Sequence, residues 1–250
     1  MIRLQGVSKT FPTPSGGVHH ALRGIDLEVD AGETMCLIGG SGSGKTTALR
    51  LMNRLLEADA GSVLVGGVDV LAQDPISLRR KLGYVVQAGA LFPHLTVAEN
   101  VGLLCQLEGW NAGEREARVA ELLELVRMPA ASFGDRYPSE LSGGQQQRIG
   151  VARALALNPP VVLLDEPFGA LDRITRRELQ REFKDLCASP GRTMVFVTHD
   201  LDEAFLLGDR VALLHQGELQ QCGTPRELVE SPANEHVAAF VSENSRGEFA

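Results

Sequence analysis

Residues 34–46 read TMCLIGGSGSGKT, and this stretch decides the kind of fold that the chain adopts. Residues 34–38 are mostly apolar, as expected for a buried strand, and helical periodicity begins at Lys45. The segment between them, Gly39–Thr46, fits the pattern G-x-x-x-x-G-K-[S/T]. Its backbone N–H groups can surround phosphate oxygens, with Lys45 reaching the β- and γ-phosphates and Thr46 holding Mg²⁺. The stretch predicts a nucleotide-binding α/β fold; the alternative is a glycine-rich turn that binds nothing.

A second glycine-rich segment, residues 141–148, reads LSGGQQQR. Ser142, Gly143 and Gly144 precede an apolar-periodic run over residues 149–157. A glycine-rich helix start presents backbone N–H groups and the positive end of the helix dipole, so it suits an anion. Because the phosphate loop already supplies one such site, the second one needs a separate reason to exist.

Two adjacent carboxylates, Asp165 and Glu166, follow the apolar run VVLL at residues 161–164. Such a run predicts a central parallel strand, and ligands of open α/β sheets bind at the carboxyl ends of the strands. We therefore predict that Asp165 binds Mg²⁺, partly through water, and that Glu166 polarises the attacking water as general base. The alternative is a pair of acids at a helix start near Pro167.

Further polar residues follow other predicted strands. Gln87 comes after the strand at 82–86, where its neutral amide can contact Mg²⁺ or the attacking water. His199 comes after the strand at 193–198, where an imidazole can contact the γ-phosphate and sense its loss. Asp172, read alone, is a helix N-cap. Taken singly, each of these residue types is more often an ordinary loop or structural residue.

Phe11 precedes a Pro- and Gly-rich loop at residues 12–17. An aromatic ring at that position can stack on adenine, because stacking requires only a π face. The alternative is a ring that packs on the edge of the sheet.

Composition and charge narrow the classes of function. The chain has 250 residues, 44% hydrophobic and 22% charged, and its formal net charge of −8 argues against nucleic acid as a partner. The four cysteines form no CxxC pair, so neither a zinc site nor a disulfide framework is expected. No apolar stretch approaches the roughly 20 residues that span a bilayer. We expect a cytoplasmic chain without a membrane span of its own.

The remaining pattern predicts an order of elements rather than single sites. Short strands are expected near the start, then a helix over 45–56 and a hairpin over 61–70 that turns at Gly66-Gly67. Residues 88–160 have mainly helical periodicity, and Asn158-Pro159-Pro160 is expected to stop the last helix of that region. The later elements alternate in a βαβ rhythm: helix 174–187, strand 193–197, helix 201–207, a hairpin over 211–221 around Gln216-Gly217, and short helices over 224–240.

Together and in this order, the motifs resemble the nucleotide-binding subunit of an ABC transporter over nearly the whole chain. The resemblance implies an α/β P-loop NTPase (RecA-like) core with an antiparallel β subdomain and an inserted helical subdomain. It implies a single domain over 1–250, with core residues 1–87 and 161–250 and helical residues 88–160. The motifs of that family are matched in this chain by Walker A (Gly39–Thr46), Q-loop (Gln87), signature (Leu141–Gln145), Walker B (Val161–Asp165) with Glu166, D-loop (Asp172) and switch histidine (His199).

The resemblance also implies cofactors and roles. ATP and Mg²⁺ are expected, with Mg²⁺ held by Thr46, Gln87 and Asp165, and with Glu166, His199, Gln87 and Lys45 in catalysis. Two copies would pair head to tail, so that the signature of one chain closes on the nucleotide bound by the other, with Asp172 at the dimer contact. The expected ATP-binding residues are Phe11, Gly39, Gly40, Ser41, Gly42, Ser43, Gly44, Lys45, Thr46 and Thr47, and those acting in trans are Leu141, Ser142, Gly143, Gly144 and Gln145.

A finer resemblance is to the ATPases of importers for quaternary amines such as glycine betaine, carnitine and choline. It rests on residues 51–56 (LMNRLL), 74–87 (DPISLRRKLGYVVQ), 91–95 (LFPHL) and 135–151 (DRYPSELSGGQQQRIGV). The chain differs from that group in having Phe11 where Tyr is frequent, and stacking should survive the change. Many members carry a C-terminal pair of CBS regulatory modules, which we do not expect here because the sequence ends at Ala250.

The resemblance implies partners as well: integral membrane permease subunits, which residues 88–95 would meet, and indirectly an extracytoplasmic solute-binding protein. The chain would then lie on the inner face of the cell membrane. Other readings are an ATPase for another small solute such as nitrate, taurine or a polyamine, an exporter ATPase, and a non-transport ATPase or assembly scaffold.

Overall fold

The computed structural model describes residues 1–14, 16–86, 90–169, 176, 180, 183–184 and 191–244. Gln87, Asp172 and most of the predicted helix 174–187 lie outside these residues. The chain divides into two compact units, the first formed by Met1–Arg79 with Cys187–Ala250 and the second by Arg80–Leu186.

The strands of the described residues, in chain order, are β1 (Ile2–Pro12), β2 (Val18–Val29), β3 (Thr34–Ile38), β4 (Ala60–Val65), β5 (Val68–Asp69), β6 (Leu82–Val85), β7 (Val161–Asp165), β8 (Thr193–Val197), β9 (Arg210–His215) and β10 (Glu218–Gly223). The helices are α1 (Lys45–Met52), α2 (Pro75–Arg80), α3 (Val97–Leu107), α4 (Ala112–Leu125), α5 (Ala130–Phe133), α6 (Gly143–Ala154), α7 (Leu201–Leu207), α8 (Pro225–Glu230) and α9 (Glu235–Asn244). In the described part of the chain, no helix has the length and apolar character needed to cross a membrane.

The first unit contains an antiparallel sheet in the order β2-β1-β4-β5. Ile2 of β1 pairs with Val29 on one side and with Val65 on the other. Side chains alternate along β1, since Ile2 and Leu4 are buried whereas Arg3 is exposed, as expected for a sheet with one solvated face. The predicted hairpin turning at Gly66 and Gly67 is confirmed, because β4 and β5 pair antiparallel around it.

The same unit contains a parallel core. Strand β3 lies between β8 and β9 and is parallel to both, with Leu37 paired to Val197 and to Ala212. All five residues of β3 and of β8 are buried, which is why their sequences read as near-continuous apolar runs. Because parallel strands end at the same edge, the residues after β3 and after β8 are neighbours there.

The second unit combines a parallel strand pair with the helices predicted over 88–160. Val85 of β6 pairs with Leu164 of β7, and helix α3 packs against both α4 and α6. Side chains on the facing surfaces, such as Val101, Leu123 and Ile149, are fully buried. The predicted helical character of this region is thereby confirmed.

Two helices are shorter than the sequence predicts. Helix α1 ends at Met52 instead of continuing to residue 56, because Arg54 takes the left-handed conformation (φ 54°) and the N–H groups of Leu55 and Leu56 turn back to the Arg50 carbonyl. This reversal satisfies carbonyls that a helix end leaves without partners. Helix α6 ends at Ala154, before the Pro159-Pro160 pair, because the backbone already turns over residues 155–157.

Asp59 connects β1 to the start of β4 and should contribute a pH-dependent part of the stability. Hydrogen bonds from Lys9 Nζ (2.7 Å) and from the Thr10 hydroxyl and N–H (2.6 and 2.7 Å) lower the pKa of Asp59 from 3.8 to about 2. A lowered pKa means that this stabilisation is complete above pH 3.8 and is lost as the pH falls to about 2. We expect Asp59→Asn to lower the urea midpoint of unfolding at pH 7. The difference in midpoint between this variant and the unmodified chain should become smaller as the pH falls from 3.8 to about 2.

Circular dichroism during urea unfolding measures the difference in midpoint between Asp59→Asn and the unmodified chain at each pH. Glu218→Gln, at an exposed carboxylate of β10 in the same unit, controls for the loss of one negative charge. A difference that stays constant from pH 7 down to pH 2 would contradict this account of Asp59.

Candidate nucleotide-binding site

The phosphate loop is held at its two ends by close backbone contacts that only glycine allows. A Cβ on Gly39 (φ 140°) would stand 2.1 Å from the carbonyl oxygen of Leu214 at the end of β9. A Cβ on Gly44 (φ 104°) would stand 2.5 Å from the carbonyl oxygen of Ala21 on β2. At Gly40, in contrast, a Cβ would meet no atom within 4 Å. The loop is therefore fixed at its ends and open along its exposed middle.

Lys45 lies beneath this loop. Its ammonium group donates to the carbonyl oxygens of Gly39 and Gly40, each at 2.8 Å, and to the Ser43 hydroxyl at 3.3 Å, and only 6% of the residue is exposed. An ammonium group has three N–H donors, so Lys45 can hold several groups of the loop at once. Its nearly buried positive charge also makes the loop electropositive. Thr46 and Thr47 follow, half-buried, in the first turn of α1.

The hairpin β9–β10 ties the loop to β2 through backbone hydrogen bonds. The N–H of Gly217, in the hairpin turn, donates to the Ser43 carbonyl at 3.2 Å, and the Gly217 carbonyl accepts from the Arg23 N–H at 2.8 Å. Gly217 has φ 82°, and a Cβ there would approach the Ala21 carbonyl oxygen to 2.9 Å. The turn at Gln216-Gly217, which the sequence predicted, thus belongs to the support of the phosphate loop.

His199 lies at the same edge, exposed, directly after β8. The N–H of Thr198 donates to the carbonyl of Leu37 on β3 at 3.2 Å. Leu37 is two residues before Gly39, and His199 is the residue after Thr198, so this bond holds His199 near the start of the phosphate loop. The turn itself is held by Thr198, whose hydroxyl donates to Glu203 and accepts from the Asp200 N–H at 3.0 Å. The structure therefore brings the phosphate loop and His199 to one edge of the first unit.

Phe11 lies on β1, opposite His19 of β2. His19 is two residues from Ala21, the residue that touches Gly44, so Phe11 is on the strand pair that supports the loop. The ring is half-buried, and the Lys9 ammonium lies 5.7 Å from its centroid, within the range of a cation–π contact. The described contacts are compatible with both predicted roles, stacking on a base and packing at the sheet.

In the second unit, Asp165 ends β7 with 4% of its surface exposed, and Glu166 follows it half-buried. Glu166 has φ 45°, a left-handed conformation that costs a non-glycine residue on the order of 1–3 kcal/mol and is enriched at functional sites. Its carbonyl accepts from the Gly169 N–H at 3.2 Å, and Phe168 packs edge-to-face on Phe183 at 5.5 Å. A buried carboxylate beside a strained one offers the oxygen ligands that Mg²⁺ prefers.

The segment Leu141–Gln145 forms the start of α6 in the second unit. Ser142 is its N-cap: the Gln145 N–H donates to the Ser142 hydroxyl at 3.3 Å, and the Ser142 N–H donates to Gln145 Oε1 at 2.9 Å. Leu141 is buried, while Ser142 and Gly143 are exposed and Gly144 is half-buried. This capping box uses an amide where a carboxylate is the common alternative, so it adds no negative charge.

The first turns of the helices differ in charge. Of the described helices with eight residues or more, α3, α4 and α9 carry a glutamate in the first turn, whereas α1 and α6 carry no acid there. A glutamate at a helix start compensates the positive end of the helix dipole. The two starts that lack this compensation are those of the phosphate loop and of the LSGGQ segment.

Several supporting residues have no signal in the sequence: Lys9 and Asp59 beside Phe11, Thr198 and Glu203 behind His199, Asn100, and Arg153. Their hydrogen-bond partners lie as far as 63 positions away along the chain, and no motif in the sequence identifies these pairs. Of the predicted site residues, Gln87 and Asp172 lie outside the described part of the chain.

The chain is similar to known proteins in both sequence and structure. A family model described as ABC transporter matches residues 22–169. The chain is 51% identical to the glycine betaine/carnitine/choline transport ATP-binding protein OpuCA of Bacillus subtilis (strain 168), over 96% of this chain and 62% of that protein. It is 42% identical to the glycine betaine uptake system ATP-binding protein YehX of Escherichia coli (strain K12), over 99% of this chain and 78% of that one.

Among solved structures, the chain is similar to the dimeric post-hydrolysis state of the ATP-binding cassette MJ0796 bound to ADP and Pi. The TM-score is 0.82 with 35% sequence identity, covering 90% of this chain and 99% of that chain. The curated relatives are longer: the chain spans 62% of the length of OpuCA and of the choline transport ATP-binding protein OpuBA of the same organism.

The glycines of the phosphate loop generate a paired prediction. Gly39→Ala should destabilise the chain by about 3 kcal/mol or more, because its Cβ would overlap the Leu214 carbonyl in a backbone conformation that L residues avoid. Gly40→Ala, next to it in the same loop, should stay within about 0.5 kcal/mol because its Cβ meets open space. Urea unfolding of both variants measures the difference, and equal midpoints would show that the Leu214 contact does not restrain the loop.

Proposed function

Since this chain belongs to the ABC transporter family, we propose that it is the ATP-hydrolysing subunit of an importer for a small solute, a quaternary amine such as glycine betaine, carnitine or choline. The predicted fold class, a P-loop NTPase core with an antiparallel β subdomain and a helical subdomain, is confirmed by the likeness to ATP-binding cassettes. The observation that carries the proposal is the phosphate loop, fixed at Gly39 and Gly44 and supported from below by Lys45.

ATP is the proposed ligand of this loop. The open middle of the loop and the first turn of α1 offer backbone N–H groups to the phosphates, while Lys45 supplies positive charge to the β- and γ-phosphates. The adenine would stack on Phe11, whose ring lies on the strand pair beside the loop. The proposed ATP-binding residues are Gly39, Gly40, Ser41, Gly42, Ser43, Gly44, Lys45, Thr46, Thr47 and Phe11.

Thr46, Gln87 and Asp165 would hold Mg²⁺. A hydroxyl, an amide and a buried carboxylate are hard oxygen ligands of the kind that this ion selects, so the residues fit it. When bound, the ion neutralises charge on the β- and γ-phosphates. Asp165 would act partly through water, which suits a carboxylate at the end of a buried strand.

Glu166 would accept a proton from the attacking water as general base. Its left-handed backbone sets the direction in which the carboxylate points, and this conformation is strained. An acid that only served as a loop residue would not need such strain, whereas a general base needs a fixed direction. His199 would donate a hydrogen bond to the γ-phosphate, and Thr198 with Glu203 holds the turn that presents it. Loss of the γ-phosphate would remove that contact, so His199 would respond to hydrolysis.

A second copy of the chain would complete each site. The exposed start of α6, with Ser142 and Gly143 and without an acid in its first turn, suits the γ-phosphate of ATP held by the other copy. Leu141, Gly144 and Gln145 would complete this contact in trans, and Asp172 would lie at the dimer contact. Hydrolysis and product release would reopen the dimer.

The transport partners follow from the importer role. We propose that the chain docks on integral membrane permease subunits at the inner face of the cell membrane, and that a solute-binding protein delivers the solute on the other side. The segment after Gln87 would meet the permease. The quaternary amine as solute rests on the similarity to relatives named for glycine betaine, carnitine and choline transport.

Glu166→Gln tests the catalytic role. The amide cannot take a proton from water, so ATP turnover should fall by about 10²- to 10⁴-fold while ATP binding persists and a nucleotide-dependent dimer accumulates. Phosphate release, calorimetric ATP affinity and size-exclusion chromatography measure the three effects.

Lys45→Ala is the control for that variant, because it should weaken ATP binding itself by removing the cation under the loop. Turnover of Glu166→Gln at the rate of the unmodified chain would refute the general-base role.

Ser142→Arg tests the completion of the site by a second copy. A long side chain at the exposed start of α6 should block closure, so Glu166→Gln with Ser142→Arg should stay monomeric in MgATP and still bind ATP as a monomer. Size-exclusion chromatography and calorimetry report these two properties. Ser139→Arg, exposed three residues earlier, adds the same side chain outside the predicted contact. A dimer formed equally well by both variants would rule out Ser142 as an interface residue.

A further inference from the structure

The segment from Ala90 to Thr96, here called the 90–96 segment, leads into α3 and is exposed along its middle. Phe92 is 43% exposed, and Pro93 and His94 are exposed as well. An aromatic ring facing solvent in a segment without a helix or strand needs a restraint if it is to keep one position. Two side chains of the second unit supply that restraint, one from α3 and one from α6.

Asn100 of α3 holds the later part of the segment. This side chain is fully buried, and its Oδ1 accepts from the Phe92 N–H at 2.8 Å. Its Nδ2 donates to the carbonyl oxygens of Phe92 (3.1 Å), Leu95 (3.0 Å) and Thr96 (2.9 Å). A buried amide that satisfies four backbone groups fixes residues 92–96 to the start of α3.

Arg153 of α6 holds the beginning of the segment. Its Nη1 donates to the Ala90 carbonyl at 3.0 Å, and its guanidinium carbon lies 5.7 Å from the centroid of the Phe92 ring. Burial lowers the pKa of Arg153, because removal from water penalises the charged form, although a guanidinium stays protonated. One half-buried cation thus contacts both the backbone and the exposed ring of the segment.

Arg153 lies in the last turn of the helix whose N-cap is Ser142. Helix α6 has 12 residues, so Arg153 is roughly 16 Å from the exposed start of that helix. A helix of this length moves as a stiff rod, and α6 packs on α3, which carries Asn100. Through Arg153, the last turn of α6 is therefore linked directly to Ala90 and Phe92.

We infer that Arg153 is a positioning residue that couples the LSGGQ helix to the 90–96 segment. When the start of α6 engages ATP held by a second copy of the chain, the guanidinium pulls on Ala90 and Phe92 and restrains the segment. Asn100 acts as the fixed point on the other side. This inference rests on the proposed dimeric ATPase, because it names the side chain that carries engagement of the dimer to the segment proposed to face the permease.

Hydrogen exchange tests the coupling in the full chain. In Glu166→Gln, MgATP should slow exchange of residues 90–97 by about threefold, because dimer closure restrains the segment. In Glu166→Gln with Arg153→Gln, the dimer should still form by size-exclusion chromatography, while this effect on residues 90–97 is lost. Arg153→Lys should restore part of it, because the cation over the Phe92 ring is kept and the planar hydrogen-bonding group is not.

Two matched variants separate coupling from helix stability. Arg118→Gln removes hydrogen bonds to Leu155 and Ala156 at the same end of α6, at 2.8 and 3.0 Å, but leaves the 90–96 segment untouched and should keep the full effect. Phe92→Leu removes the ring that faces the guanidinium, together with the edge contact of that ring with His94 at 6.0 Å, and should reduce the effect.

The outcomes distinguish the inference from the proposed function. A dimer whose residues 90–97 respond to MgATP equally with and without Arg153→Gln overturns the coupling role alone. If Glu166→Gln forms no dimer in MgATP, the proposed dimeric ATPase fails and the coupling fails with it.

Discussion

The close approach of the phosphate loop to the backbones of β2 and β9 is the constraint on which the first unit depends. At Gly39 and Gly44 the loop lies so near to the carbonyls of Leu214 and Ala21 that no side chain fits. These contacts allow a loop with exposed backbone to hold one conformation, because its two ends are anchored to buried residues of β9 and β2. Lys45 adds hydrogen bonds from below to Gly39, Gly40 and Ser43. The hairpin turn at Gly217 and the Thr198–Glu203 pair then position the neighbouring residues of the same edge.

Charge at the helix starts distinguishes the helices of the second unit from one another. Helices α3 and α4 begin with capping boxes that use Glu99 and Glu114, which stabilise the helices and compensate their dipoles. Helix α6 begins with the same geometry built from Ser142 and the neutral Gln145. Its start is thus stabilised as a helix without being neutralised, which is the combination that an anion-binding helix start requires. The choice of Gln over Glu at this one position distinguishes the cap of α6 from the caps of α3 and α4.

The sequence predicted the elements whose signal is local. The buried runs at β3, β7 and β8, the turns at Gly66-Gly67 and Gln216-Gly217, and the start of α6 all lie where composition and spacing place them. Helix ends were harder to predict from the sequence. Helix α1 stops at Met52 because Arg54 adopts a left-handed backbone, and an arginine in the sequence does not indicate that conformation. The side chains that hold exposed segments in place could not be predicted from the sequence. Arg153 is 63 positions from Ala90, and Asp59 is 50 from Lys9, so neither pair forms a motif.

By itself, the sequence determined the α/β class, the order of the motifs and the residue types proposed for the chemistry. These depend on short-range patterns, since a phosphate loop needs glycines at set spacing between a strand and a helix. Only the tertiary structure decided why Gly39 cannot be replaced while Gly40 can, that Glu166 is held in a strained backbone, and that Arg153 joins α6 to the 90–96 segment. Each of these properties depends on the distance between atoms far apart in the chain, and only folding sets those distances.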